Sequence, residues 1–168
     1  MGAGKTTIGR QLAKRLGKRF VDCDQEIEAR TGVRIPVIFE IEGEEGFRRR
    51  EAQVVFDLTN ESDIVLATGG GAILYPENRA CLAQTGLVVY LCVPADELFG
   101  RTRRDINRPL LQVDNPKQKI ADLYVERDPL YREIADIVID GGSKSPATVV
   151  RLIEQEIQRI NGALSCNP

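Results

Sequence analysis

The six residues Gly2-Ala3-Gly4-Lys5-Thr6-Thr7 carry the most specific chemistry in the chain, because they run straight into an amphipathic stretch. They match the second half of the phosphate-binding pattern GxxxxGK[ST]. Glycines in such a loop let the backbone N–H groups of Gly2, Ala3 and Gly4 close on phosphate oxygens. Lys5 adds a mobile positive charge and Thr6 a hydroxyl for Mg²⁺. The plainer alternative is a glycine-rich turn that does no more than cap a helix. The first glycine of the pattern would lie two residues before Met1, and the strand that should feed the loop has no counterpart in this sequence. The expectation is therefore of an upstream strand, without which the written chain is unstable or inactive: a buried parallel strand carries several apolar residues worth ~1.5–3 kcal/mol each.

A phosphoryl acceptor needs a group to orient or deprotonate it. The chain has no histidine, so a general base must be a carboxylate or water. Asp22-Cys23-Asp24 sits at the carboxyl end of an apolar run, where open α/β sheets bind their ligands. Alternation along a strand would aim both carboxylates the same way, one acting behind Mg²⁺ through water and the other on a hydroxyl. Alternatively, Asp24 only caps a helix from Gln25 to Arg30. Arg48 and Glu51, three apart in Phe47-Arg48-Arg49-Arg50-Glu51, share a helix face and can fix one another, unless this charge run is a solvated surface. Gly69-Gly70-Gly71 after another strand lets backbone amides approach a ligand, or forms a plain turn. Arg108 stands on the proline-stiffened tip Arg108-Pro109-Leu110-Leu111, suited to close over phosphates or to remain a surface loop.

Positioning these groups requires a parallel sheet. Strand-like runs fall at Phe20 to Cys23, Ile64 to Thr68, Leu87 to Leu91 and Ile137 to Ile139, with helical patterns between them. That alternation predicts an α/β layering. The first helix should run from about Thr6 to Leu16 and end at Gly17. The last should start with Ser145 as N-cap and Pro146 at N1, burying Val149, Val150, Ile153, Ile157 and Ile160. Val37 to Ile41 and Glu44 to Leu58 read as two pieces broken at Gly43. Pro116 to Arg127 reads as a helix closed before Asp128-Pro129. Residues 106 to 115 fit no period and read as a functional loop.

At 168 residues the chain fits one domain and one active site. Its 42% hydrophobic and 29% charged residues, with no long apolar run, exclude disorder and a membrane-spanning helix. A net charge of −2 lacks the basic surplus of a nucleic-acid binder. Cys23, Cys81, Cys92 and Cys166 lack CxxC spacing and read as reduced cytoplasmic thiols. A monomer is the default, since no apolar stripe is left over.

Taken in order, GAGKTT, DCD, GFRRRE, LATGGGA, RPLL and ERDPLY resemble the shikimate kinases over nearly the whole chain. The resemblance implies a P-loop three-layer sandwich with a parallel sheet of order 2-3-1-4-5, whose first and central strand would be the one lacking here. It implies substrate-binding helices at about 24–60 and a mobile lid at about 103–116. Lys5 would contact ATP phosphates, Thr6 would ligate Mg²⁺, and Asp22 would support the metal through water. Asp24 would hold the substrate hydroxyls and act as base. Arg48, Gly70 and Arg127 would complete the shikimate site, with Glu51 orienting Arg48. Arg108 would be the lid arginine, and Arg101 and Pro146 would sandwich adenine. The implied reaction is transfer from MgATP to the 3-hydroxyl of shikimate. Two rivals stay open: another small-molecule kinase acting on gluconate or a nucleoside monophosphate, and a nucleotide-binding protein without catalysis.

Overall fold

The computed structural model describes residues 2–103 and 109–165. Its strands are short and parallel, and helices surround them. In chain order the elements are α1 (Lys5–Leu16), β1 (Arg19–Asp22), α2 (Cys23–Thr31), α3 (Ile35–Thr59), β2 (Ile64–Ala67), α4 (Pro76–Thr85), β3 (Val89–Cys92), α5 (Ala95–Thr102), α6 (Pro116–Ile134), β4 (Ile137–Asp140) and α7 (Pro146–Ser165). Single 3₁₀ turns form at Ala72–Leu74 and Pro109–Leu111. β1 pairs with β2 from Arg19 opposite Ile64 to Asp22 opposite Ala67, and β3 pairs with β4 from Val89 opposite Ile137 to Cys92 opposite Asp140. Both pairs are parallel, the arrangement that the alternation of runs predicts.

Two apolar clusters hold the layers. Val21, Cys23, Ile27, Phe47, Val54, Val55 and Leu58 bring α2 and α3 against β1. Ile8 and Leu12 of α1 meet Ile137 and Ile139 of β4 and Val149, Val150 and Ile153 of α7, with Val65, Val89 and Leu91 packed alongside. Side chains as fully enclosed as Val55 and Val150 are each worth ~1.5–3 kcal/mol. On α1, Ile8, Leu12 and Ala13 are buried but Leu16 at its end is exposed; on α7, Val149, Val150 and Ile153 are buried and Ile157 and Ile160 partly so. Gly17 closes α1 in the left-handed conformation, and the Ser145 hydroxyl accepts from Thr148 N at 3.2 Å as an N-cap should.

Two boundaries differ from expectation, each for a physical reason. β1 ends at Asp22, and Cys23 already belongs to α2, so the two aspartates do not alternate along a strand. The cap is Asp22 rather than Asp24: its backbone is extended and its side chain accepts from Asp24 N. Second, α6 does not close before Asp128-Pro129 but runs on to Ile134 with Pro129 inside it. Contacts on both sides of the proline, described below, outweigh the lost backbone bond. α3, by contrast, breaks where the sequence predicts: its two helical pieces meet at Gly43, which has φ 70° and ψ −176°. Only glycine adopts that conformation readily. The helices α4 and α5 were not singled out from the sequence.

Candidate active site

α1 begins at Gly4, whose left-handed backbone (φ 86°) turns the preceding loop onto the helix. No side chain caps this N-terminus, so its amides and the positive end of the helix dipole face the loop mouth, as an anion site requires. Gly2 packs against the end of α5: a Cβ there would stand 2.6 Å from Thr102 Cγ2. Behind the loop, the Thr6 hydroxyl donates to Asp22 Oδ2 at 2.8 Å. The same carboxylate accepts from Asp24 N through Oδ1 at 3.1 Å. One side chain thus ties the phosphate loop to the start of α2, and Asp24 falls in the first turn of that helix.

The charge run on α3 is no solvated face throughout. Arg48 and Glu51 are buried, and Arg48 Nη1 donates to Glu51 Oε2 at 2.6 Å. Glu44, half exposed, accepts from Arg48 Nη2 at 2.9 Å. Arg49 and Arg50 by contrast stay in solvent, paired with Glu45 and Glu42. Burial pushes the Glu51 carboxyl above its ordinary range, and the Arg48 charge pulls it back only in part. Burial would lower Arg48, but Glu51 and Glu44 outweigh that and hold it above its ordinary value.

The glycine turn after β2 lies directly on this pair. A Cβ on Gly69 would stand 2.2 Å from Glu51 Oε1 and 3.1 Å from Asp24 Oδ1, and one on Gly71 would stand 2.1 Å from Arg48 Nη1. Gly69 and Gly71 leave the room that Glu51, Asp24 and Arg48 occupy against the backbone. From the other side α6 supplies Arg127, also buried, whose Nη1 donates to the Gly70 carbonyl at 3.0 Å. Two buried polar atoms in this cluster lack protein partners, Glu51 Oε1 and Arg127 Nε. An unpaired buried acceptor and an unpaired donor beside the same turn are what a polar ligand with hydroxyls and an anionic group would satisfy.

A cleft walled largely by apolar side chains of β3 and α6, among them Val89, Leu91 and Leu123, also has Ala3 and Lys5 of the phosphate loop and Gly69, Gly70, Arg127 and Tyr131 in its lining. The structure thereby brings Lys5 together with Gly70 and Arg127, and Asp24 and Arg48 with the same glycine turn. Arg101 on α5 donates to the carbonyls of Gly141 (3.3 Å) and Gly142, in the loop that leads to Pro146. Arg108 lies outside the described residues. Among the described residues no group of three or more His, Cys, Asp or Glu side chains could hold a metal. One hydroxyl and one carboxylate at Thr6 and Asp22 instead suit a hard cation that keeps waters and phosphate oxygens as its other ligands.

Residues missed from the sequence are Glu44, Tyr131 and Tyr90. The Tyr131 hydroxyl donates to the Gly70 carbonyl at 2.6 Å, beside Arg127. Its spacing of four from Arg127 puts both on one helix face, but that signal is legible only once α6 is known to cross Pro129.

A sequence model of the family described as "Shikimate kinase" matches residues 1–158. A shikimate kinase of Aromatoleum aromaticum is 63% identical over 161 residues, covering 96% of this chain and 92% of the relative. One of Dechloromonas aromatica is 59% identical over 160 residues, covering 95% and 87%. Among solved structures, shikimate kinase from Acinetobacter baumannii in complex with shikimate superposes with a TM-score of 0.93 at 53% identity, covering 95% of this chain and 89% of that one. The enzyme from Aquifex aeolicus gives 0.83 at 34% identity, covering 94% and 92%.

Proposed function

The chain belongs to the shikimate kinase family, and from that premise we propose that the cleft from Lys5 to the Gly69–Gly71 turn is where it phosphorylates shikimate. The reaction moves the γ-phosphoryl group of ATP onto the 3-hydroxyl of shikimate and releases shikimate 3-phosphate and ADP, a step toward chorismate and the aromatic amino acids. The observation that carries the site is the convergence of Asp24, Arg48, Glu51 and Arg127 on one glycine turn facing the phosphate loop.

In this reading the Gly2, Ala3 and Gly4 amides, Lys5 and Thr7 hold the phosphates of ATP. Arg101 and Pro146 flank adenine, and Arg108 reaches over the phosphates from a lid at about 103–116. Arg48 and Arg127 grip the shikimate carboxylate with charge-assisted hydrogen bonds, the stronger class. Gly70 offers its backbone, and the helices at about 24–60 form the substrate wall. Asp24 orients the 3-hydroxyl and takes its proton as the oxygen bonds to phosphorus, while the P–O bond to ADP breaks. Phosphoryl transfer needs little covalent help, so positioning and charge do most of the work. Mg²⁺, held by Thr6 directly and by Asp22 through water, would neutralise the phosphate charge.

The finer fold reading is a single domain with one sheet of order 2-3-1-4-5, whose central strand is none of the four described. The packing of Val65 from β2 and of Val89 and Leu91 from β3 on one cluster supports it. We also take the protein as a cytoplasmic monomer that binds ATP and shikimate and no nucleic acid. Among the described residues no helix is long and apolar enough to cross a membrane.

The direct test is coupled ADP release with MgATP and shikimate, run beside gluconate and nucleoside monophosphates. Turnover with shikimate alone supports the site. Tight ADP binding without turnover on any acceptor favours the non-catalytic rival.

A further inference from the structure

The Gly70 carbonyl accepts from two side chains of α6, Arg127 Nη1 at 3.0 Å and the Tyr131 hydroxyl at 2.6 Å. A carbonyl has two lone pairs, so both bonds can form together. The donors are four residues apart on one face, and Pro129 lies between them. Proline supplies no N–H to the helical ladder and pushes against the carbonyl four residues before it. The turn carrying Arg127 is therefore not fixed by its backbone as firmly as in an unbroken helix.

Tyr131 is anchored from the opposite side. Its ring stacks on Tyr90 of β3, with centroids 4.8 Å apart and planes at 22°. The Tyr90 hydroxyl donates to Asp128 Oδ1 at 2.8 Å, and Arg132 Nε donates to Asp128 Oδ2 at 2.8 Å. A strand, a helix face and the glycine turn thus meet at one phenol. Burial pushes that phenol above its ordinary range, so it keeps its proton and remains a donor.

We propose that Tyr131 is a positioning residue for the acid substrate: by bonding the Gly70 carbonyl beside Arg127, it fixes the guanidinium and the peptide plane of the turn. The Gly70 carbonyl and the Gly71 N–H share one planar peptide and point opposite ways, so holding the oxygen also aims that amide. The buried Nε of Arg127, which has no protein partner, is thereby held in a fixed place. This rests on the assignment of Arg127 and Gly70 to the shikimate site.

The test compares Tyr131→Phe, which keeps the ring stack and removes only the hydroxyl, with Arg127→Ala in the full chain. Initial rates give KM for each substrate, and calorimetry gives shikimate affinity. Loss of one buried hydrogen bond predicts a shikimate KM and Kd raised about fivefold in Tyr131→Phe, with KM for ATP within about twofold. If Arg127→Ala raises the shikimate KM and Tyr131→Phe does not, the positioning role is wrong and the site stands. If Arg127→Ala leaves shikimate binding unchanged, the site assignment fails and the inference with it. If Tyr131→Phe weakens both substrates together and lowers Tm, the hydroxyl is only structural and the proposal is overturned.

Discussion

The Thr6 hydroxyl and the Asp22 carboxylate are 2.8 Å apart, and the second oxygen of Asp22 caps α2 by accepting from Asp24 N. Asp22 therefore has two separable jobs, one electrostatic at the phosphate loop and one structural at a helix end. Asn is as good an N-cap as Asp, so Asp22→Asn should keep its Tm and lose only the charge. We expect kcat to fall ~100-fold with a raised Mg²⁺ requirement, a size typical of losing one preorganised electrostatic group. Asp22→Ala should show the same kinetic loss and a further ~1 kcal/mol of destabilisation from the missing cap. Wild-type rates in Asp22→Asn would remove Asp22 from the metal's surroundings.

Arg48 and Glu51 form a pair that solvent hardly reaches, 2.6 Å apart. Removing one member of such a pair strands the other, which costs about 3 kcal/mol or more. Glu51→Ala should therefore lower unfolding stability by that order in urea titrations, softened by the Glu44 contact that Arg48 keeps. Glu51→Gln retains an oxygen for Arg48 and should lose less. With Arg48 gripping the shikimate carboxylate as proposed, Arg48→Ala should raise the shikimate KM about tenfold or more, because such charge-assisted bonds would be made in ground and transition states alike.

Gly69 tests the packing of the turn rather than its chemistry. A methyl there would stand 2.2 Å from Glu51 Oε1, and that oxygen belongs to a side chain already held by Arg48. Gly69→Ala must push Glu51 or the turn aside, so its shikimate KM should rise about tenfold while its ATP KM stays near wild type. A variant with unchanged shikimate KM would show that the turn yields freely.

The phosphate loop, α1, α7 and the strand runs were legible because each depends on local pattern: glycine spacing, a 3.6-residue stripe, β-branched runs. The kink at Gly43 was legible for the same reason. What local pattern could not supply was the competition between neighbours. Asp22 and Asp24 both suit an N-cap, and only the end of β1 at Asp22 decides between them. Pro129 signals a helix end, yet Tyr131 bonding to Gly70, together with its stack on Tyr90, carries α6 past it. Arg48 was set apart from Arg49 and Arg50 by its spacing of three from Glu51, but whether that face was buried or solvated was decided only by the glycine turn packed on it. The candidate site residues were named from ordered motifs, one of which ends in Tyr131, whereas the contacts of Tyr131 and Tyr90 were not legible because they span chain separations of 61 and 38 residues.

Asp128 gives the pH dependence. Burial alone would raise its carboxyl, but hydrogen bonds from Arg132 and Tyr90 outweigh that and hold it below the ordinary value of 3.8. A carboxyl depressed in the folded state stabilises the fold fully above its unfolded pKa and ceases to do so as pH falls through the folded one. The contribution of Asp128 should thus be complete at neutral pH and fade below about pH 4. Asp128→Asn still accepts from Tyr90 but has no charge for Arg132, so it should be less stable than wild type at pH 7 and converge with it in acid. Urea midpoints taken from pH 7 down to pH 3 measure the gap directly. Two curves that stay parallel into acid would mean that the Arg132 pair, a fifth exposed at Asp128 and half exposed at Arg132, is screened by solvent and that the Tyr90–Tyr131 stack holds α6 on its own.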